Sequence, residues 1–265
     1  MSNEAKTVVV LGMHRSGTSM VGNVLKNLGI DMGKRLAKAK WTNPLGHFED
    51  NDFVDLNSRI LRLAGGSWDK PPDQDKIREQ QDAVKMEIVK LVQGRNSQLW
   101  GWKDPRTSLT MELYLPYLTN AYFIVCHRNI RAISRSLRRR DQLDLRSGER
   151  LTRIYQERIE DFFKINPDLP RLQLSYESST CHPETAVKGI TKFLDIQPRA
   201  EAFEQAIKAI MSQKKIMRIS KWMRLKRLLK TARNNPLLFG RTIMDIIRYR
   251  SEIKKEEKAD MLSEN

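Results

Sequence analysis

The chain has 265 residues, enough for one sizeable domain with an appendage. Its 40% hydrophobic content supports a folded core, and its formal net charge of +16 points to an anionic partner: a nucleotide, an acidic glycan, nucleic acid or an anionic membrane. Two cysteines, Cys126 and Cys181, without CxxC or Cys/His spacing, exclude a disulfide framework and a structural zinc site.

The opening MSNEAKTVVVLG lacks the features of a signal peptide, and no apolar run reaches the roughly 18 residues that a membrane-spanning helix needs. The expected location is the cytoplasm. TVVVLGM is a β-branched run ending near glycine and predicts a buried strand. The helix that follows carries Met20, Val21, Val24, Leu25 and Leu28 at helical spacing, with Gly29 as a stop. Between strand and helix lies GMHRSGTS, residues 12–19, the context of a phosphate-binding loop. Its glycines, Gly12 and Gly17, stand five apart, but Thr18 occupies the place of the P-loop lysine.

Three further strands are expected at 97–103 (SQLWGWK), 121–127 (AYFIVCH) and 171–176 (RLQLSY). Helices are expected near 50–64, 75–93, 129–141, 146–165 and 184–194. This alternation predicts an α/β fold: a P-loop-like central parallel sheet with helices on both faces. Ligands bind such sheets at the carboxyl ends of the strands. His14, Arg15, Lys103, Asp104, His127, Arg128, Tyr176 and Glu177 all fall there.

Composition shifts near residue 213. From Lys214 to Arg250 there are twelve Lys/Arg and one acid, Asp245. The expected division is therefore a domain over 1–212 and a basic helical C-terminal extension over 213–265. A basic amphipathic segment at 214–250 fits peripheral membrane docking, an acidic glycan or simple packing on the domain. No nucleic-acid motif accompanies the charge.

The loop chemistry narrows the ligand. Backbone N–H groups and a helix N-terminus favour an anion. Ser16, Thr18 and Ser19 add hydroxyls, and Arg15 adds a forked cation. Without the lysine, nucleoside-triphosphate chemistry is disfavoured, and a phosphosulfate fits. Arg128 and, eight residues later, Ser136 form a second anion site. Two such sites on one sheet point to a nucleotide with phosphates at both ends of its ribose.

These residues resemble the donor-binding motifs of the sulfotransferase family. GMHRSGTS resembles its 5′-phosphosulfate loop, and Arg128 with Ser136 resembles its 3′-phosphate site. NPLGHFED (43–50), WGWKDPR (100–106) and the YE…P…FL block within 175–196 are similar to the bacterial members; the resemblance spans about 7–196. It implies 3′-phosphoadenosine 5′-phosphosulfate (PAPS) as donor, its product PAP, no metal, and a hydroxyl acceptor. Charge and the bacterial look of the motifs point to a carbohydrate or glycolipid. Arg15 and Lys103 are then the charge-stabilising pair, as in the tyrosyl-protein sulfotransferases. Glu49 is the first candidate for the base and His47 the second. On intrinsic basicity His47 leads, and Glu49 serves if burial raises its pKa. Tyr176 is placed by resemblance at the adenine; as a residue type it serves equally well in the core. A P-loop kinase and a non-catalytic anion- or membrane-binding protein stay open as alternatives.

Overall fold

The computed structural model describes residues 5–37 and 46–212. The basic extension and the docking function expected of 214–250 lie outside these, as do the first three residues of NPLGHFED. Among the described residues no helix is long and apolar enough to cross a membrane.

The chain order is β1 (Lys6–Leu11), α1 (Thr18–Asn27), α2 (Asn51–Leu63), α3 (Gln74–Arg78), α4 (Gln81–Gln93), β2 (Leu99–Lys103), α5 (Thr107–Tyr114), a 3-10 turn (Leu115–Tyr117), β3 (Ala121–His127), α6 (Ile130–Asp141), α7 (Leu145–Ile165), β4 (Arg171–Ser175), α8 (Tyr176–Cys181) and α9 (Pro183–Leu194). A further helix, α10, occupies 200–212. All four strands are parallel, in the order β2-β1-β3-β4. The chain leaves β1 toward β2 on one side and leaves β3 toward β4 on the other. The crevice at the carboxyl ends of β1 and β3 is thus the topological switch point, where α/β sheets bind ligands.

Side-chain alternation along the strands builds two cores. Val9, Leu11, Phe123 and Val125 face one, shared with α2–α7; Val8, Val10, Ile124 and Cys126 face the other, shared with α1, α9 and α10. Both faces of the sheet are covered, as a parallel sheet requires.

The four expected strands form. The helix expected over 75–93 is two, α3 and α4, separated at Glu79 and Gln80. Ile77 and Val84 both reach the core at an i, i+7 spacing, so the apolar period passes through the break without marking it. RLQLSY ends one residue early: Ser175 caps α8, its hydroxyl accepting from the Ser178 N–H at 3.3 Å, and Tyr176 opens that helix. α5, α8 and α10 have no counterpart in the expected elements.

Candidate active site

The loop after β1 is built by its glycines. Gly12 and Gly17 have φ of 142° and 105°, in the range that favours glycine. A Cβ on Gly12 would meet the Cys126 carbonyl oxygen at 2.8 Å; one on Gly17 would meet Tyr176 Cδ2 at 2.9 Å. The loop therefore lies flat on the ends of β3 and β4. Ser108 of α5 holds it from the other side, its Oγ accepting from Gly12 N–H at 2.9 Å. Gly17 is the N-cap of α1 and brings no side-chain cap; Met20 N–H turns back to the Gly17 carbonyl at 2.9 Å, and the N–H groups ahead of it remain for a ligand. Arg15 has a left-handed φ of 72°, which is uncommon for a side-chain-bearing residue.

That backbone turn sends Arg15 toward α6, where its Nε donates to Ser136 Oγ at 2.9 Å. Arg128 Nη1 donates to the Arg15 carbonyl at 3.0 Å, and its guanidinium lies 4.1 Å from the Tyr176 ring centroid. The two expected anion sites are thus one continuous surface: Arg15 bonds to Ser136, and Arg128 joins them through the loop backbone. Burial, together with the charges of Arg140, Arg128 and Arg139, lowers the Arg15 pKa from 12.5 to about 10. Burial also lowers Arg128; Tyr176 and Glu177 oppose that, and Arg139 and Arg135 add to it. Both remain cations at neutral pH, crowded with like charge. Ser16 Oγ and Arg128 Nε are buried and have no partner. Both are hydrogen-bond donors, the complement an anionic ligand needs.

Lys103 ends β2 fully buried. Its Nζ donates to Glu49 Oε1 at 2.5 Å and to Ser19 Oγ at 3.2 Å. Burial raises the Glu49 pKa, but the Lys103 charge and hydrogen bond outweigh it, and the carboxyl lies below its ordinary value. The condition set for Glu49, that burial raise its pKa, is therefore not met: the cation beside it decides the sign. Burial likewise lowers His47; Glu49 opposes, while Lys103, Arg140 and Arg15 reinforce. His47 is therefore neutral at pH 7 with a lone pair available.

His14 is buried, with its ring centroid 4.6 Å from that of Trp68, and its Nε2 has no partner. Burial and the charges of Arg106, Arg140, Lys103 and Arg15 hold it well below its ordinary pKa. His127 Nε2 is also unpartnered.

Sequence reasoning missed the support beneath the site. Asp104, fully buried, accepts from Arg106 Nη1 at 2.7 Å and Asn57 Nδ2 at 2.8 Å. Asn57 also donates to Thr107 Oγ1 at 3.0 Å and accepts from Thr110 Oγ1 at 2.7 Å and Tyr114 Oη at 2.9 Å. Arg106 lay within the WGWKDPR motif; Asn57 had no local signal. Among the described residues no group of His, Cys, Asp and Glu could hold a metal ion.

Residues 7–200 match the model of the sulfotransferase family, and the chain belongs to that family. Similar solved structures include the sulfotransferase domain from the Synechococcus PCC 7002 olefin synthase, 18% identical, covering 77% of each chain with a TM-score of 0.50. They also include the sulfotransferase domain from the curacin biosynthetic pathway, 15% identical, over 76% of this chain and 77% of that one, TM-score 0.47. Sulfotransferase STF1 from Mycobacterium tuberculosis is 14% identical, over 77% of this chain and 71% of that one, TM-score 0.45. The likeness to the olefin synthase domain is one of fold. No curated protein sequence matches the chain.

Proposed function

We propose that this chain transfers a sulfuryl group from PAPS to a hydroxyl on a carbohydrate or glycolipid. The observation that carries the donor is the crowding of buried cations at the loop. Arg15 and Arg128 are lowered by burial and by neighbouring arginines, and lie beside the unpartnered Ser16 Oγ. Such a surface favours a ligand with several separated negative charges. The acceptor class rests on the basic charge of the chain.

In this reading the loop of Gly12, Arg15, Ser16, Gly17, Thr18 and Ser19 holds the 5′-phosphosulfate. Arg128 and Ser136 hold the 3′-phosphate, and Tyr176 lies at the adenine. The acceptor oxygen bonds to sulfur as the bond from sulfur to the 5′-phosphate oxygen breaks. That oxygen keeps the electron pair and leaves in PAP. Arg15 and Lys103 stabilise its growing charge. Glu49, already ionised, takes the acceptor proton, with His47 as the second candidate.

The test is incubation with sulfur-radiolabelled PAPS and a panel of glycans and glycolipids. The expected result is PAP release with label on a hydroxyl, lost in Arg15→Ala and Lys103→Ala. Folded protein that releases no PAP with any acceptor, or with water, overturns the reading.

A further inference from the structure

Glu49 and Asp50 are adjacent carboxylates, and each is taken by a different cation. Glu49 meets Lys103, at the carboxyl end of β2. Asp50 Oδ2 accepts from Arg95 Nη2 at 2.7 Å, in the connection that leads into the same strand. The Asp50 side chain is 0% exposed and that of Arg95 6%. Asp50 is extended, with φ −76° and ψ 121°, so neighbouring side chains point to opposite sides. Fixing Asp50 on one side thus fixes Glu49 on the other.

The surroundings leave Asp50 little room. A Cβ on Gly33 would lie 2.1 Å from Asp50 Oδ2. Backbone pairing laces the segment from both ends: Ala37 N–H donates to the Glu49 carbonyl at 2.8 Å, and Asn51 N–H to the Arg35 carbonyl at 3.0 Å. The residues before this lacing run along the free edge of β2, where Gly101 N–H donates to the Asp31 carbonyl at 2.9 Å. Arg95 itself lies against two aromatic rings that stack on each other, its guanidinium carbon 5.2 Å from the Phe53 ring and 5.8 Å from the Trp100 ring. Asp50 Oδ1 also accepts from Asp52 N–H and caps α2. A cap needs only a short polar side chain; a buried arginine packed against two aromatic rings is more than a cap requires.

We infer that the Asp50–Arg95 pair is a positioning device for Glu49, holding its carboxylate on Lys103 so that transfer, and not donor binding, depends on Arg95. This rests on the assignment of Glu49 as the base. The device needs no contact with the donor loop.

The test uses three variants: Arg95→Met, Arg95→Lys, and Asp50→Asn with Arg95→Met. The double variant removes both buried charges and keeps a capping residue, so it restores the folding stability that Arg95→Met alone loses. The measurements are PAP affinity, turnover of PAPS with water as acceptor, and the His47 titration by NMR. His47 is faced by Glu49, Lys103, Arg140 and Arg15. Displacing Glu49 removes the one charge that raises it. The expected result for the stable double variant is PAP affinity within about twofold of wild type and turnover down by about tenfold to a hundredfold, the scale of a misplaced reacting group. The His47 pKa falls, and Arg95→Lys recovers part of the turnover. Wild-type turnover and an unmoved His47 in the double variant overturn the inference. If the wild type itself neither binds PAP nor consumes PAPS, the functional reading fails, and the His47 titration alone still decides whether the pair positions Glu49.

Discussion

Lys103 Nζ and Glu49 Oε1 lie 2.5 Å apart, with the lysine side chain fully buried and the glutamate 14% exposed. One contact sets the charge of the candidate base and places a cation beside the loop. Lys103→Met removes the group that keeps Glu49 ionised. Burial, no longer opposed, then raises the carboxyl. The acidic limb of the pH–rate profile for PAPS turnover moves to higher pH, and the maximal rate falls by about a hundredfold or more, the scale of losing one charge-stabilising donor. An unmoved acidic limb would remove Glu49 from the role of base.

The same carboxylate makes a pH-dependent contribution to folding. Its folded pKa is depressed, so its stabilisation is present at neutral pH and is lost as pH falls through the folded value, below about 4.3. The histidines act earlier. His14, His47 and His127 are all lowered by burial, so the unfolded chain binds protons that the folded chain does not once pH drops below about 6.5. Urea midpoints therefore fall between pH 7 and 5. His14→Gln flattens this slope.

The glycine positions give a separate handle on the loop. Gly17→Ala combines a φ of 105° with a Cβ 2.9 Å from Tyr176 Cδ2. A strained residue of this kind costs of order 1–3 kcal/mol. Either the loop or the Tyr176 ring must shift, so PAP affinity falls more than global stability. Calorimetric binding and thermal denaturation on one preparation separate the two.

Asn57→Ala tests the support under Lys103. It strands the Tyr114 hydroxyl and one oxygen of Asp104, both buried, and leaves the Thr110 hydroxyl only its 3.4 Å bond to the Arg106 carbonyl. Each stranded buried group costs about 1–3 kcal/mol, so the urea-derived stability falls by about 3 kcal/mol or more. A loss within error of zero would mean that water fills the gap.

The parts of the molecule legible in the sequence are those with local signals. β1, β3 and the loop between β1 and α1 follow from a β-branched run, a glycine pair and a helical period, and Arg128 and Ser136 lie on one short segment. The rest depends on partners far apart in the chain. Arg95 reads as part of the turn GRNS, yet it meets Asp50, 45 residues earlier. Asn57 reads as one polar residue in an amphipathic helix, yet it gathers hydroxyls more than 50 residues away. Which cation stands beside Glu49 was equally invisible, so burial alone was weighed for its pKa and the opposing charge of Lys103 was not. α5 was missed because TSLTMELY is short and buried on all sides, leaving no amphipathic period to read.

The central claim is that the crevice at the ends of β1 and β3 binds a nucleotide phosphorylated at both ends of its ribose. The most direct measurement is thermal stabilisation by adenosine 3′,5′-bisphosphate against ATP with magnesium, on wild type and Arg128→Ala. At about 100 times its dissociation constant a ligand stabilises the folded state by about 2.7 kcal/mol. The account predicts that the bisphosphate stabilises wild type, that ATP does not, and that Arg128→Ala loses the effect while keeping its fold. Stabilisation by ATP alone, or by neither ligand, would contradict it.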